Sequence, residues 1–211
     1  MPRRRPLNPR RTPKQSRSRV TVDAIIEATA QLLRDRGPDG ATTARIAQRA
    51  GTSVGSLYQY FPTREALIAA VATRHLDAVT ATLAGALGPD AATAPLHDVV
   101  TALVTAAIAA HAADPPLHAA LVTELARAGA TDFAKETHAR LETLVAALLA
   151  SRADLQLENP ALAAFLLVRL VDGLTHAAVL DAPAWLARPA FTAEVVRLVE
   201  RWLGAQRRPV G

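Results

Sequence analysis

The feature that most constrains the fold is a break between two short helical segments within residues 42–64. Apolar side chains recur at helical spacing on both sides of the break: Ile46, Ala47 and Ala50 before it, and Val54, Leu57, Tyr58 and Phe61 after it. Gly51 can adopt a positive φ, which a tight break between two helices needs. Ser53 is a good N-cap for the second helix. The pattern predicts a helix-turn-helix, whose second helix enters a DNA major groove.

The exposed face of the second helix carries short or flat hydrogen-bonding side chains where a solvated face would carry Glu or Lys. Hydroxyls suit phosphate oxygens, Gln59 can read a base edge, and Val54 can touch a thymine methyl. Gly55 would let the backbone come near the duplex. The alternative is a helical hairpin with a merely solvated face. The predicted phosphate contacts are Thr52, Ser53, Tyr58, Tyr60 and Arg64, and the predicted base contacts are Val54, Ser56 and Gln59.

The run TTARIAQRAGTSVGSLYQYFPTREALIAAV resembles the DNA-binding domain of the TetR family of transcriptional regulators, most specifically in G-S-L-Y-Q-Y-F-P-T-R-E-A-L. The resemblance extends from about Arg19 to about Val79, and the remainder is similar to the family only in length and helical character. It implies a dimeric repressor that a small ligand releases from DNA. It also implies that the start of the preceding helix touches a phosphate, which adds Thr43 to the predicted contacts.

The positive charge of the chain is concentrated at its N-terminus. Residues 1–19 contain eight basic side chains and no acidic one, whereas the rest has 16 basic and 19 acidic residues. This asymmetry favours a DNA-binding end on a neutral to acidic body over a general RNA-binding surface. Residues 1–18 are predicted to be a disordered basic arm. The arm either follows phosphates or the minor groove, with Arg17 and Arg19 nearest the fold, or is a solubilising tail.

The composition and pattern predict an all-α fold, with a helix-turn-helix domain at 19–64 and a helical regulatory and dimerisation domain at 65–211. Nine helices are expected, near 22–36, 43–50, 54–61, 63–87, 96–113, 117–128, 132–151, 161–180 and 191–203. The fourth helix has no break before Gly88-Pro89. It would therefore connect the two domains as one rigid element, or act as a plain connector.

The last two long helices are apolar on more than one face. The side chains concerned are Leu162, Phe165, Leu166, Leu170, Val171 and Leu174 in one, and Val195, Val196, Leu198, Val199, Trp202 and Leu203 in the other. Helices of this kind need burial on two sides. The prediction is a homodimer with a two-fold four-helix interface; the alternative is a pair of central helices in a monomeric core. Two reading helices in a dimer would suit a palindromic double-stranded operator.

Enzymatic and metal-binding motifs are missing from the sequence. There is no cysteine, no hydrolase, nucleotide or zinc motif, and no local His–carboxylate cluster, so we predict no enzyme, no cofactor and no metal site. No membrane span or signal peptide is expected, so the predicted location is the cytoplasm, at the nucleoid. The candidate small-molecule contacts are His111, His118, Phe133, Phe165, Arg169 and His176. The rival functions are a non-specific architectural DNA-binding protein and an all-α ligand carrier or enzyme.

Overall fold

A computed structural model describes residues 16–129 and 131–206, except for the side chains of residues 16, 17, 131–134 and 137. This part of the chain contains nine α-helices and one short 3-10 helix at Pro183–Trp185, with no strand. The helices are α1 Ser16–Gly40, α2 Thr43–Arg49, α3 Val54–Tyr60, α4 Arg64–Ala86, α5 Leu96–Ala112, α6 Pro115–Arg127, α7 Thr131–Ser151, α8 Pro160–Asp181 and α9 Pro189–Gly204. The predicted all-α class is confirmed, and most helix ends lie within two residues of the predicted ones.

Helix α1 begins earlier than the sequence pattern predicted. It starts at Ser16, so residues 16 and 17 are helical, although the arm was expected to be disordered through residue 18. That boundary was wrong because no Pro or Gly separates Ser16 from the apolar stripe, so nothing stops the helix. At the other end Gly37 has φ 66° and breaks the regular helix, as the Gly37-Pro38 pair predicted. The remainder of the predicted arm, residues 1–15, lies outside the described residues.

The chain divides into two compact units, and the first comprises residues up to Leu76 together with Asp114–Phe133. In it, α1 packs against α2 and α6, and α2 packs against α3. The core includes Ile25 and Leu33 of α1, Leu57 of α3, Leu67 of α4 and Leu121 of α6. Helix α6 thus completes the core beneath the helix-turn-helix. The predicted boundary after Arg64 does not coincide with this division, because early α4 and α6 belong to the first unit.

The second unit comprises Asp77–Ala113 and the residues from Ala134 onward. Helix α5 packs against α8 and α9 around a core that includes Val104, Ala164, Val195 and Leu203. A buried arginine fixes the loop before α5: Arg152 donates to the carbonyl oxygens of Ala91 (2.7 Å) and Ala94 (2.9 Å), and it pairs with Asp154. Burying this charge is tolerable because the carboxylate and carbonyl oxygens satisfy it.

Two helices, α4 and α8, are long and apolar enough to cross a membrane by length and composition. Helix α8, however, carries Arg169 and Asp172, and Arg169 pairs with Glu142 of α7 at 3.2 Å. Its apolar residues Ala163, Ala164 and Leu167 lie in the protein core. Ion-paired charges along one helix face are costly in lipid, so helix packing accounts for the hydrophobicity of α8.

Candidate nucleic-acid interface

The turn between α2 and α3 is built by local backbone and capping interactions. Gly51 has φ 65°, and the N–H of Thr52 donates to the carbonyl oxygen of Ala47 at 2.9 Å. Thr42 caps α2 by accepting from the N–H of Arg45, and Ser53 caps α3 by accepting from the N–H of Ser56 at 3.0 Å. Both caps satisfy backbone donors that would otherwise be unpaired at a helix start. The turn therefore holds α2 and α3 in a fixed mutual orientation.

One side of α3 is anchored in the core of the first unit. Leu57 and the following Phe61 are each 1% exposed, and Ala47 is buried on the facing helix α2. Tyr60 is half-buried against the same core, and its hydroxyl oxygen accepts from the hydroxyl of Ser18 in α1 at 3.4 Å. The predicted phosphate contact of Tyr60 stays a prediction, since the structure assigns this ring mainly to packing.

The opposite side of α3 faces outward. Val54 and Tyr58 are large side chains that remain 39% and 43% exposed, and Gly55 and Gln59 are exposed beside them. A Cβ atom added at Gly55 would meet nothing nearer than the Ser53 hydroxyl at 3.8 Å, so its backbone is accessible from outside. An apolar contact, an amide, a phenol and bare backbone thus lie on one accessible helix face, as base and phosphate recognition require.

The electrostatics of this region favour a polyanion. Residues 40–64 contain three arginines and no acidic residue. Arg45 lies exposed in the first turn of α2, beside the half-buried Thr43, and donates to the carbonyl oxygen of Gly40 at 3.1 Å. The sequence prediction omitted Arg45, although its place one turn into α2 after the Thr42 cap was a readable signal. A cation there adds attraction for phosphate at a helix N-terminus.

The remaining hydroxyls of the interface are half-buried. Thr52 is half-buried, and the hydroxyl of Ser56 lies 2.9 Å from the cap hydroxyl of Ser53. A hydroxyl has one donor and two acceptor sites, so the Ser53–Ser56 pair retains capacity for an external partner. The predicted DNA contacts of these residues stay predictions that the geometry permits.

Two of the predicted cationic contacts differ in their surroundings, and a third lies outside the described side chains. The guanidinium of Arg64 pairs with the buried Glu124 at 2.5 Å and donates to the carbonyl oxygen of Pro38 at 2.6 Å. Arg64 therefore has an internal structural role, and its phosphate contact stays a prediction. Arg19 is exposed on α1. The side chain of Arg17 is not among those described.

The predicted small-molecule contacts separate into different environments. In the second unit the rings of His111 and His176 lie 5.3 Å apart, and both reach the carboxylate of Asp172. Phe165 and Arg169 lie instead on an exposed face of α8, where the guanidinium stacks 5.3 Å from the ring centroid. Arg169 pairs with Glu142, so its suggested pairing with Asp172 was wrong.

The other two predicted ligand contacts do not belong to this group. His118 lies in the first unit, with its Nδ1 3.3 Å from Nε2 of His75. Phe133 falls among the side chains that the structure does not describe. A shallow groove of roughly 470 Å³ follows the outer face of α5, lined among others by Ala106 and Ala109, whereas Ala107 and Ala110 are buried. The small side chains of α5 thus serve both predicted purposes, open space and close packing.

Asp172 is the centre of a His–carboxylate cluster that the sequence analysis missed. His138 of α7 contributes its Nε2 at 3.0 Å from Oδ2, opposite His111 and His176 on Oδ1. Burial raises the pKa of Asp172, but hydrogen bonds from the three imidazoles outweigh burial and hold that pKa well below its usual value. The hydrogen bond to Asp172 raises the pKa of His176 against the effect of burial. Asp172 and His176 stand one helical turn apart, which was the available sequence signal.

Comparison with known families supports the two-part reading of the chain. Residues 25–71 match the model described as "Bacterial regulatory proteins, tetR family". Residues 95–203, more than half of the chain, match the model described as "Tetracyclin repressor-like, C-terminal domain".

Individual proteins agree with these matches. YvdT of Bacillus subtilis (strain 168), described as an HTH-type transcriptional regulator, is 34% identical over 77 residues, which is 35% of this chain and 39% of YvdT. The aligned segment thus spans about two fifths of that curated relative. A TetR-family regulator structure from Rhodococcus sp. superposes with a TM-score of 0.69 at 20% identity, covering 88% of this chain and 99% of its own. The multidrug binding protein EbrR, complexed with imidazole, gives 0.65 at 20% identity, covering 90% and 96%. At this identity the two structures establish the fold.

Proposed function

We propose a function from the premise that this chain belongs to the TetR family of transcriptional regulators: it binds a palindromic DNA operator as a homodimer and is released by a small molecule. The family consists of DNA-binding regulators and not of enzymes, in agreement with the absence of a catalytic motif. The division of labour would follow the predicted domains, with 19–64 binding DNA and 65–211 responding and dimerising. The direction of regulation that we propose is repression.

The observation that carries the proposal is the outward face of α3. Val54, Tyr58 and Gln59 are exposed on a helix whose other side is locked into the core by Leu57 and Phe61. Side chains held on a rigid helix can be presented to base edges without a large ordering cost. We assign base reading to Val54, Ser56 and Gln59. We assign phosphate positioning to Thr43, Thr52, Ser53 and Tyr58, with Tyr60, Arg64, Arg17 and Arg19 as further candidates.

Dimerisation through α8 and α9 is supported by an exposed apolar stripe. Leu162, Phe165, Leu166 and Leu170 follow one face of α8 at helical spacing, and each is at least 36% exposed. Leu198 is similarly exposed on α9. Exposed leucines in such a row are costly in water and typical of a subunit interface. A two-fold axis through this face would give two copies of α3, which can read half-sites about 34–36 Å apart.

Ligand release requires a second site and an element that both sites influence. Helix α4 contains 23 residues, about 34 Å of continuous helix, and contributes residues to both compact units. A ligand that favours one orientation of α4 would change the spacing of the two reading helices and thereby the affinity for the operator. EbrR, a multidrug binding protein of the same fold, makes a small organic molecule our proposed class of ligand. The proposed location is the cytoplasm, at the nucleoid.

The test is selection of bound duplexes from a random pool with the full-length protein. We expect an enriched palindrome whose half-site centres are 10–10.5 base pairs apart or a multiple of it. Gln59→Ala should weaken binding to the selected operator by about 1–3 kcal/mol while leaving random duplex unchanged. Tyr58→Phe is the matched comparison, because removal of a phosphate contact weakens both duplexes alike.

Two results would contradict the proposal. A selection that enriches no sequence would favour the architectural alternative, which also predicts that deleting residues 1–17 abolishes nearly all binding. Equal losses on operator and random duplex for Gln59→Ala would remove its role as a base reader. A protein that binds no duplex would return the carrier or enzyme reading.

A further inference from the structure

Three imidazoles and one carboxylate converge inside the second unit from three different helices. His111 lies on α5, His138 on α7, and Asp172 and His176 one turn apart on α8. Nε2 of His111 is 3.4 Å and Nδ1 of His176 is 3.2 Å from Oδ1 of Asp172. We propose that His111, Asp172 and His176 bind one divalent transition-metal ion, with Zn²⁺ the best match. This site is separate from operator binding and can be tested without DNA.

The hydrogen bond of His111 determines which ring nitrogen is available. Nδ1 of His111 lies 2.7 Å from the carbonyl oxygen of Ala107, and a carbonyl can only accept, so Nδ1 carries the hydrogen. In the neutral ring Nε2 then has a lone pair directed at the Asp172 carboxylate. Two acceptors facing each other need a cation between them. A histidine whose other N–H donates to a backbone carbonyl is the usual arrangement at a metal site.

The spacing of the donor atoms fits four-coordinate zinc. Zinc bonds of about 2.0–2.1 Å at tetrahedral angles place neighbouring ligand atoms about 3.3 Å apart. The two nitrogen–oxygen distances on Oδ1, 3.4 and 3.2 Å, straddle that value. A ring nitrogen of His111 and one of His176 also lie within 4.8 Å of each other. Three protein ligands of this kind leave one coordination position for water or another small donor.

The surroundings fix the carboxylate in place. His138 Nε2 lies 3.0 Å from Oδ2, the oxygen that does not face His111 and His176. By donating to Oδ2, His138 would orient Asp172 and leave Oδ1 for the ion. His111 is only 7% exposed, so the site is shielded from water on the α5 side.

The donor set selects the class of metal. Two imidazole nitrogens and one carboxylate oxygen suit Zn²⁺ and neighbouring divalent ions, whereas Mg²⁺ and Ca²⁺ prefer sites made of oxygen. The chain has no cysteine, so thiolate ligation is excluded. This proposal departs from the prediction of no metal site, which was based on local motifs only.

The experiment is calorimetric titration of Zn²⁺ into chelator-treated full-length protein, with Co²⁺ absorption as a report on tetrahedral geometry. We expect one ion per chain with micromolar or tighter affinity. His111→Gln and Asp172→Asn should each weaken binding at least tenfold. His97→Gln is the matched control on the same helix, because His97 is exposed and pairs with Glu200 outside the cluster, and it should leave affinity unchanged.

Circular dichroism of each variant distinguishes a lost ligand from a lost fold. If a buried substitution unfolds the second unit, the half-exposed His176→Gln provides the same test at a less buried position. Wild-type protein that binds no Zn²⁺ would overturn the proposal and identify the cluster as a protonated imidazolium–carboxylate network. Equal affinity in wild type and the folded Asp172→Asn variant would overturn it as well, since the ion would then be bound elsewhere.

Discussion

Gly55→Ala is expected to stabilise the protein and weaken operator binding at the same time. Gly55 is the second residue of α3, is exposed, and has helical neighbours. An added Cβ would meet only the Ser53 hydroxyl at 3.8 Å, an ordinary van der Waals contact. Replacing a helical glycine by alanine removes conformational freedom from the unfolded chain, so the fold should gain roughly 0.5–1 kcal/mol. In a chain of this size that corresponds to a rise in Tm of about 2–4 °C per kcal/mol.

The opposite effect on DNA follows if the backbone of α3 approaches the duplex at Gly55. A methyl group placed there would push the first turn of α3 away from the base edges. Losing one good base contact costs about 1–3 kcal/mol. That is about 5- to 150-fold in affinity for each half-site. Fluorescence anisotropy with the selected operator measures this loss, and thermal unfolding monitored by circular dichroism measures the stability gain.

Gly85→Ala is the matched control for the glycine effect. Gly85 is exposed near the end of α4, and an added Cβ would meet nothing within 4 Å. This substitution should also raise Tm and should leave operator affinity unchanged. If Gly55→Ala binds the operator as tightly as the wild type, the inference that α3 presents bare backbone to the duplex is refuted. A fall in Tm for Gly55→Ala would refute the accessible geometry itself.

Three further substitutions test the packing of the two units. Ser53→Ala should cost about 1 kcal/mol of stability, measured by urea unfolding, because the Ser56 N–H loses its cap; Ser53→Gly should recover most of it. Arg64→Ala should cost roughly 1–3 kcal/mol, because the buried Glu124 carboxylate loses its shortest ion pair; an unchanged urea midpoint would leave Arg64 only its external role. Leu166→Glu should convert the dimer to a folded monomer in light scattering, since it places a charge in the apolar stripe of α8; a persistent dimer would place the interface elsewhere.

The helix-turn-helix was predictable because its signals are local. Gly51 and the Ser53 cap act on residues within four positions of themselves, and their observed geometry matches the sequence pattern. The cap of α4 is similar, since the N–H of Ala66 donates to the hydroxyl of Thr63 at 3.1 Å. Interactions at helical spacing are determined by the 3.6-residue period before any tertiary structure forms. The boundaries of α2 to α4 could therefore be read closely.

The interactions that shape the first unit were not predictable, because they join distant parts of the chain. Helix α6 was assigned to the body by its position in the sequence, yet its Leu117 and Leu121 complete the core under α1. The burial of Glu124 and its pairing with Arg64 depend on that packing. An arginine beside a reading helix therefore appears from sequence as a phosphate contact. Only the tertiary structure reveals that an internal carboxylate competes for it.

The histidine cluster shows why motif spacing misses sites in helical proteins. Half of the cluster is local, since Asp172 and His176 are four residues apart on one face of α8. The other half comes from α5 and α7, and His138 is 34 residues from Asp172. A motif with fixed spacing requires its ligands on one element or on a short loop, whereas a bundle brings ligands together from any helices that pack. The Asp172–His176 pair was therefore the only part of this site that the sequence could have shown without a fold.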